Sequence, residues 1–453
     1  MLEAGGDFNS SPASGVVFST STHVDTVAGY QPLTRFRFVG GHSALWGGLT
    51  LRLSRGVFAG ESTFGAIPRW PIQYDELEPY YDRAEDLLVG SHHLREADQR
   101  PLIRKSPYLS RLSAAFEAQV DFAPYATPYS RLRLATSVIP MLESQTRFRL
   151  FKETVAVGIE MDSRETGRSV RYRRADGTTG QILARLIVVA GGAIQTPRLL
   201  LLSRSAFHRN GIGNDNGLVG RYFTDHFQVF PSWLSVSDAS LRNEPPGFNA
   251  SRHWKDRAQR TPFFVLGTGI NKTIEARDLI LSERVWGASL KTLLEERSGT
   301  LLELRILGAL ASTAENRIDL DPQQRDEAGA IPRIRIKPND ADHALVDSID
   351  LWLRRVFSGF PLRRLQYAPD GGAQIGKVGR INGGHLSGSC RMGDDPKASV
   401  VDSNLRVHGT RNVFVSGAAT FVTAGAENPT LTISALTLRL GDHLIKLFQS
   451  GAV

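Results

Sequence analysis

The sequence predicts an α/β fold: a dinucleotide-binding, Rossmann-like domain, discontinuous in sequence, joined to an α+β domain built on an antiparallel sheet. Three stretches carry the prediction. The chain opens on MLEAGG, a short apolar strand that ends in an acid and turns on glycines, as the second strand of a dinucleotide-binding βαβ unit does. ILARLIVVAGGAIQTPRLLLLS, residues 182–203, is a buried strand (Leu186 to Ala190), a Gly191–Gly192 turn and a helix with Thr196 as cap and Pro197 in first position. From Gly383 to Leu440 a glycine-rich turn around His385 leads to a short strand (Asn412 to Ser416). A long apolar helix then opens at Asn428 and Pro429.

Length and composition narrow the class. At 453 residues two domains are expected. Hydrophobic content of 41% with 22% charged residues describes a soluble globular chain, and no run reaches the ~20 apolar residues of a membrane span. Cys390 is the single cysteine, which excludes an internal disulfide framework and fits a reducing compartment or no redox demand; a cytoplasmic location is the expectation. The net charge of +8 comes from arginines scattered among acids. There is no basic run or recognition-helix pattern, so nucleic acid is not an expected partner.

The elements follow in order. RFRFVGGHSALWGGLTLR, residues 35–52, has glycines that permit close backbone approach and a tryptophan, Trp46, that offers a flat wall. From Trp70, WPIQYDELEPYYDRAEDLL reads as an amphipathic helix capped by Asp75, with Leu77, Tyr81, Ala84 and Leu88 buried and its acids solvated. Phe151 to Ile159 and Ser169 to Arg174 read as paired strands. Asp225 and His226, in GLVGRYFTDHFQVF, read as packed residues at a domain junction rather than reacting groups. From Gln228 to Gly376 the pattern changes to alternating strands, such as Thr261 to Leu266 and Arg333 to Ile336, mixed with helices such as Asp342 to Phe357. His92 and His93 lack the supporting spacing of a metal site.

The chemistry concentrates at the C-terminal end. Asn428 is a favoured cap and Pro429 a favoured first residue, followed by Leu431, Ile433, Leu436, Leu440, Leu444 and Leu447 on the buried face. The free N–H groups of that helix face whatever lies before it, and an anion or an electron-rich ring is the natural guest. His385 alone would read as a turn histidine. Its spacing to the G-S-C-R-M-G run and to the Asn–Pro helix start favours a reacting base.

These residues resemble the glucose–methanol–choline (GMC) family of flavin-dependent oxidoreductases. The similarity is carried by the H-x-x-G-S-C-R-M-G run from His385, the VVDSNLRVHG segment, the strand ending at Ser416 and the NPTLTI helix start. Further matches are the 35–52 loop and the A-G-G-A-I-Q-T-P turn. The resemblance implies an FAD-dependent oxidation of an alcohol CH–OH group to a carbonyl, with hydride passing to flavin N5. His385 would be the general base and Asn428 the clamp on the alcohol oxygen. FAD contacts are implied at Glu3 (ribose), Gly40, Gly41, Ser43, Trp46, Gly47, Gly48, Val155 (adenine), Gly191, Gly192, Gly417, Ala418, Asn428, Pro429 and Thr430. Leu45 stands where some relatives carry a flavin-linked histidine, so FAD is expected to be non-covalent.

The implied FAD domain comprises 1–74, 140–226 and 376–453, and the substrate domain with its connecting helices 75–139 and 227–375. The paired strands from Glu315 are expected to floor the substrate pocket. The R-M-G-D-D-P-K run is similar to members acting on sugars, polyols or glycosides; whether the electron acceptor is oxygen, a quinone or a protein is not written in these motifs. The family's upstream G-x-G-x-x-G turn is not in this sequence. One alternative is therefore a remnant that does not retain FAD; a second, implied by the chemistry of some relatives, is a lyase on the same scaffold.

Overall fold

The computed structural model describes residues 1–7, 23–26, 38–44, 46, 48, 50–61, 67–89, 122–126, 132, 134–236, 252–256, 263–270, 300–347, 362–366, 379–381 and 384–452. For residues 23–26, 42, 44, 122–126, 134–135, 228–236, 252–256, 263–270, 300–307, 362–366 and 379–381 it describes the backbone alone. The expected residues Leu45, Gly47, His92 and His93 lie outside this set.

The Rossmann-like part is built on a parallel pair, Val413–Val415 beside Ile187–Val189, with Val413 opposite Ile187 and Val415 opposite Val189. Branched and aromatic apolar residues suit a strand buried between layers, and Val413, Phe414 and Val415 are fully buried. Because the strands are parallel and in register, their carboxyl ends lie side by side. Gly191 and Gly417 follow those ends, and the Ser416 N–H donates to the Val189 carbonyl at 2.9 Å.

The helix after the first strand runs Gly192–Leu202, so it begins four residues before the expected cap at Thr196. Pro197 therefore sits inside the helix, where it cannot donate to the carbonyl of Ala193. The Ser389 hydroxyl supplies that donor at 2.6 Å. The Thr196 hydroxyl, expected to cap, is buried with no hydrogen-bond partner among the described residues.

A meander of Thr154–Met161, Gly167–Arg174 and Thr179–Leu183 packs beside this helix, matching the expected pair and adding a third strand. The N-terminal segment joins its edge: the Glu3 N–H donates to the Phe151 carbonyl and the Thr154 N–H to the Glu3 carbonyl.

A seven-stranded antiparallel sheet forms the second part. Its strand order is Leu362–Gln366, His226–Val236, Thr300–Ala309, Phe263–Ile270, Arg252–Asp256 and Phe122–Ala126, with Gly379–Ile381 also paired to His226–Val236. The strand expected at Thr261 to Leu266 is thus Phe263–Ile270. The hairpin Arg317–Asp326 and Gly329–Ile336 lies in a separate three-stranded sheet with His23–Thr26. It packs on the Gly192–Leu202 helix, where the buried Arg198 guanidinium donates to the carbonyls of Ala330 and Gly329 and to the Asp326 carboxylate. Of the expected helix from Asp342, residues 340–347 are described and helical.

The amphipathic helix is Tyr74–Val89, and its predicted stripe of Leu77, Tyr81, Ala84 and Leu88 is buried. Each such Leu contributes about 1.5–3 kcal/mol of transfer free energy. Two details differ from expectation. Asp75 lies inside the first turn and pairs with Arg55 instead of capping. Glu85 is buried, not solvated, because the Arg52 guanidinium grips both its oxygens, at 2.8 and 2.6 Å.

Candidate active site

The site forms where the last long helix meets the start of the antiparallel sheet. That helix runs Thr430–Gln449, and its first ladder bond is from the Ile433 N–H to the Pro429 carbonyl at 2.9 Å. Pro429, not Asn428, thus occupies the cap position, and no side chain caps the helix. The N–H groups of Thr430, Leu431 and Thr432 stay outside the ladder and leave a positive dipole end.

The approach loop is clamped from behind. Trp70 Nε1 donates to Thr423 Oγ1 at 3.1 Å, and Tyr81 and Thr432 share a hydroxyl–hydroxyl bond of 2.8 Å. Ser54 donates to the buried Glu427 carboxylate at 2.5 Å. Gly425 has φ +62°, and a Cβ there would lie 2.3 Å from Leu53 Cδ2. No residue with a side chain fits that turn unchanged.

The released Asn428 side chain turns to His385: its Nδ2 lies 3.1 Å from His385 Nε2. Its Oδ1 is buried with no hydrogen-bond partner among the described residues. The imidazole and carboxamide, 43 positions apart in sequence, therefore meet as expected. On its other edge, His385 Nδ1 lies 2.8 Å from Nδ1 of His226, the rings crossing at 75°.

Backbone pairing brings the two histidines together. Ile381 is paired with Phe227, and Thr224 and Ser387 exchange two N–H to carbonyl bonds of 2.9 Å. Asp225, fully buried between them, accepts the N–H of His226 at 2.7 Å and of His385 at 3.1 Å. Asp225 and His226 are packed and fully buried, as the sequence reading expects, and they also touch the candidate base, which that reading does not anticipate. Burial lowers the His226 pKa to about 4, offset only in part by backbone groups of Ala424 and Gly425. Burial also pushes the Cys390 thiol well above its usual range, consistent with a packing role.

The residues present fit a flavin dinucleotide. Gly41, Gly192 and Gly417 all have positive φ (+50°, +71° and +117°), and nothing lies within 4 Å of where a Cβ would project. This is open space beside backbone that side chains rarely allow. The signature runs along the Gly417 turn, for Gly388, Cys390 and Met392 donate N–H bonds to the carbonyls of Ala418, Ala419 and Thr420. Ser43 holds its own turn by donating to the Gly40 carbonyl at 2.6 Å, while Gly48 is buried. Trp46 is anchored through Nε1 to the Leu132 carbonyl at 3.0 Å. Glu3 and Val155 are brought close by the bond between Thr154 and Glu3, although the Glu3 Oε1 also accepts the Gly5 N–H at 3.0 Å. Among the described residues no helix is long and apolar enough to cross a membrane, and no group of three or more His, Cys, Asp or Glu could hold a metal.

Parallel strands ending in glycine turns, joined to an antiparallel sheet, define the Rossmann-like FAD domain and substrate domain of a flavoenzyme fold. Pyridoxine 4-oxidase from Mesorbium loti shares it, with a TM-score of 0.63 at 18% identity over 98% of this chain and 93% of that one. Residues 312–437 match the family model described as GMC oxidoreductase, the family that the sequence resembles. The 2-methyl-1,2-propanediol dehydrogenase of Mycolicibacterium austroafricanum is 28% identical, over 84% of this chain and 75% of its own. The fructose dehydrogenase large subunit of Gluconobacter japonicus is 23% identical, over 91% and 81%.

Proposed function

We propose that this chain oxidises the CH–OH group of a polyol, sugar or glycoside to a carbonyl, with non-covalent FAD as cofactor. The observation that carries this reading is His385 Nε2 facing Asn428, whose buried Oδ1 has no partner among the described residues at the mouth of the Thr430–Gln449 helix. A buried acceptor left unpaired is costly, on the order of 1–3 kcal/mol, and a second hydroxyl of a polyhydroxylated substrate, other than the one that gives its proton to His385, would satisfy it. Relatives named for a diol and for fructose support a small polyhydroxylated substrate.

FAD, when bound, supplies the hydride acceptor. Its contacts are assigned to the glycine turns at 40–41, 191–192 and 417, and to the free N–H groups at the helix mouth. Those dipoles favour negative charge without reorganising. Residues 1–74, 140–226 and 376–453 carry the cofactor side of the site, and 75–139 and 227–375 the substrate side. His385 removes the hydroxyl proton at Nε2, while Asn428 holds the alcohol oxygen so that the carbon-bound hydrogen faces the cofactor.

The test is an anaerobic screen of sugars, polyols and simple alcohols against the FAD-reconstituted protein. Bleaching of the flavin band by one substrate group is the expected result. A protein that binds flavin yet is bleached by no alcohol would overturn the reading.

A further inference from the structure

The two histidines raise a question that the proposed reaction does not answer. A base must offer a lone pair, but neutral imidazole carries its proton on either nitrogen, and the wrong tautomer cannot accept one. Two imidazole nitrogens 2.8 Å apart must be one donor and one acceptor.

We infer that His226 is a positioning residue for His385: its Nδ1 accepts the His385 Nδ1–H, leaving the lone pair on His385 Nε2 toward Asn428 and the substrate. This inference rests on the proposed role of His385. Three observations support it. First, the Asn428 group nearest His385 Nε2 is the amide nitrogen, a donor, which needs a lone pair opposite it. The reverse tautomer would turn the carboxamide round and bring its orphaned Oδ1 against the ring.

Second, His226 is fully buried and its depressed pKa keeps it neutral, so it has one proton to place. Its Nε2 has no hydrogen-bond partner among the described residues, and backbone groups of Ala424 and Gly425 act on the ring. Those neighbours favour the protonated ring, as acceptors do, which puts the N–H on Nε2 and frees Nδ1 to accept. Third, one oxygen of Asp225 accepts both backbone N–H groups, so the two rings are held by a common anchor.

The proton balance is complete within these groups. The substrate proton moves to His385 Nε2, and the resulting imidazolium keeps its Nδ1–H bonded to His226. The buried His226 does not take that proton, because its own charged form is disfavoured there. It therefore orients the base and strengthens its hydrogen bond as charge develops, without bringing the negative charge of a carboxylate partner.

The test uses the whole chain labelled with ¹⁵N-histidine, the His385 signals being assigned by their loss in His385→Gln. Long-range ¹H–¹⁵N correlation should show His385 protonated at Nδ1 in the wild type. In His226→Phe, which keeps a ring but offers no acceptor, that pattern should give way to a tautomer mixture. Flavin reduction should slow by about 10- to 100-fold with little change in KM. His226→Asn, whose side-chain oxygen can stand near the Nδ1 position, should recover most of both. A wild-type His385 protonated at Nε2, or a His226→Phe protein with the tautomer unmoved, would overturn the inference. The tautomer is read without turnover. Failure of the alcohol screen would thus remove the proposed reaction and leave the histidine pairing to stand or fall on its own.

Discussion

The Ser389 hydroxyl donates at 2.6 Å to the Ala193 carbonyl, the one carbonyl that Pro197 leaves without its helical donor. The signature run thus repairs a break in the helix that follows the glycine turn. Ser389→Ala should cost about 1–3 kcal/mol in denaturant unfolding, because it strands a buried acceptor. In a Pro197→Ala background, where residue 197 regains an N–H, the same change should cost measurably less. Equal costs in the two backgrounds would show that the two residues are not coupled.

His385→Ala should keep bound flavin and lose substrate-driven flavin reduction by about 10²- to 10⁴-fold, the usual weight of a positioned base. The ring lies at the site through its contacts with Asn428 and His226, so its removal leaves the glycine turns intact. Flavin absorbance and stopped-flow reduction, measured on the same preparation, separate the two effects. An unchanged reduction rate would remove His385 from the chemistry.

How much of this was legible in the sequence follows the range of the interactions. Local signals held: the glycine turn with its strand at Ile187–Val189, the buried stripe of the Tyr74–Val89 helix, and the meeting of the C-terminal imidazole and carboxamide. Helix starts were misjudged where a tertiary partner overrode a cap rule. Asn428 gives up capping for His385, and Pro197 is tolerated inside a helix because Ser389, 196 positions from Ala193, takes the carbonyl of Ala193 that Pro197 frees. Glu85 and Glu427 gave no sign of burial, since their partners Arg52 and Ser54 are distant in sequence. His226 was passed over for the same reason: an Asp–His step entering a strand has no local pattern that reveals a second imidazole 159 positions on.

Gly388→Ala should be among the most damaging conservative changes. The residue has φ +87°, and a Cβ there would lie 2.2 Å from the Tyr222 carbonyl oxygen, which is backbone and cannot swing aside. Strain and overpacking together predict a loss of roughly 2–4 kcal/mol. The neighbouring Thr224–Ser387 pairing sets His385 against His226, so flavin reduction should fall as well. A denaturation midpoint equal to wild type would show that the chain accommodates the methyl group.

Acid should destabilise the fold through His226. Its pKa is lowered from 6.5 to about 4 by burial, so between those values the unfolded chain takes a proton that the folded chain refuses. The stability owed to keeping this ring neutral is therefore fully present above pH 6.5. It is lost as pH falls toward 4 and changes no further below that. A shift of this size corresponds to roughly 3 kcal/mol across the window. Phenylalanine at 226 cannot titrate, so His226→Phe should lose less stability than wild type between pH 7 and pH 4.5, whatever its stability at neutral pH. Urea unfolding of both proteins at the two pH values measures the difference. Parallel losses would mean that the buried ring does not resist protonation.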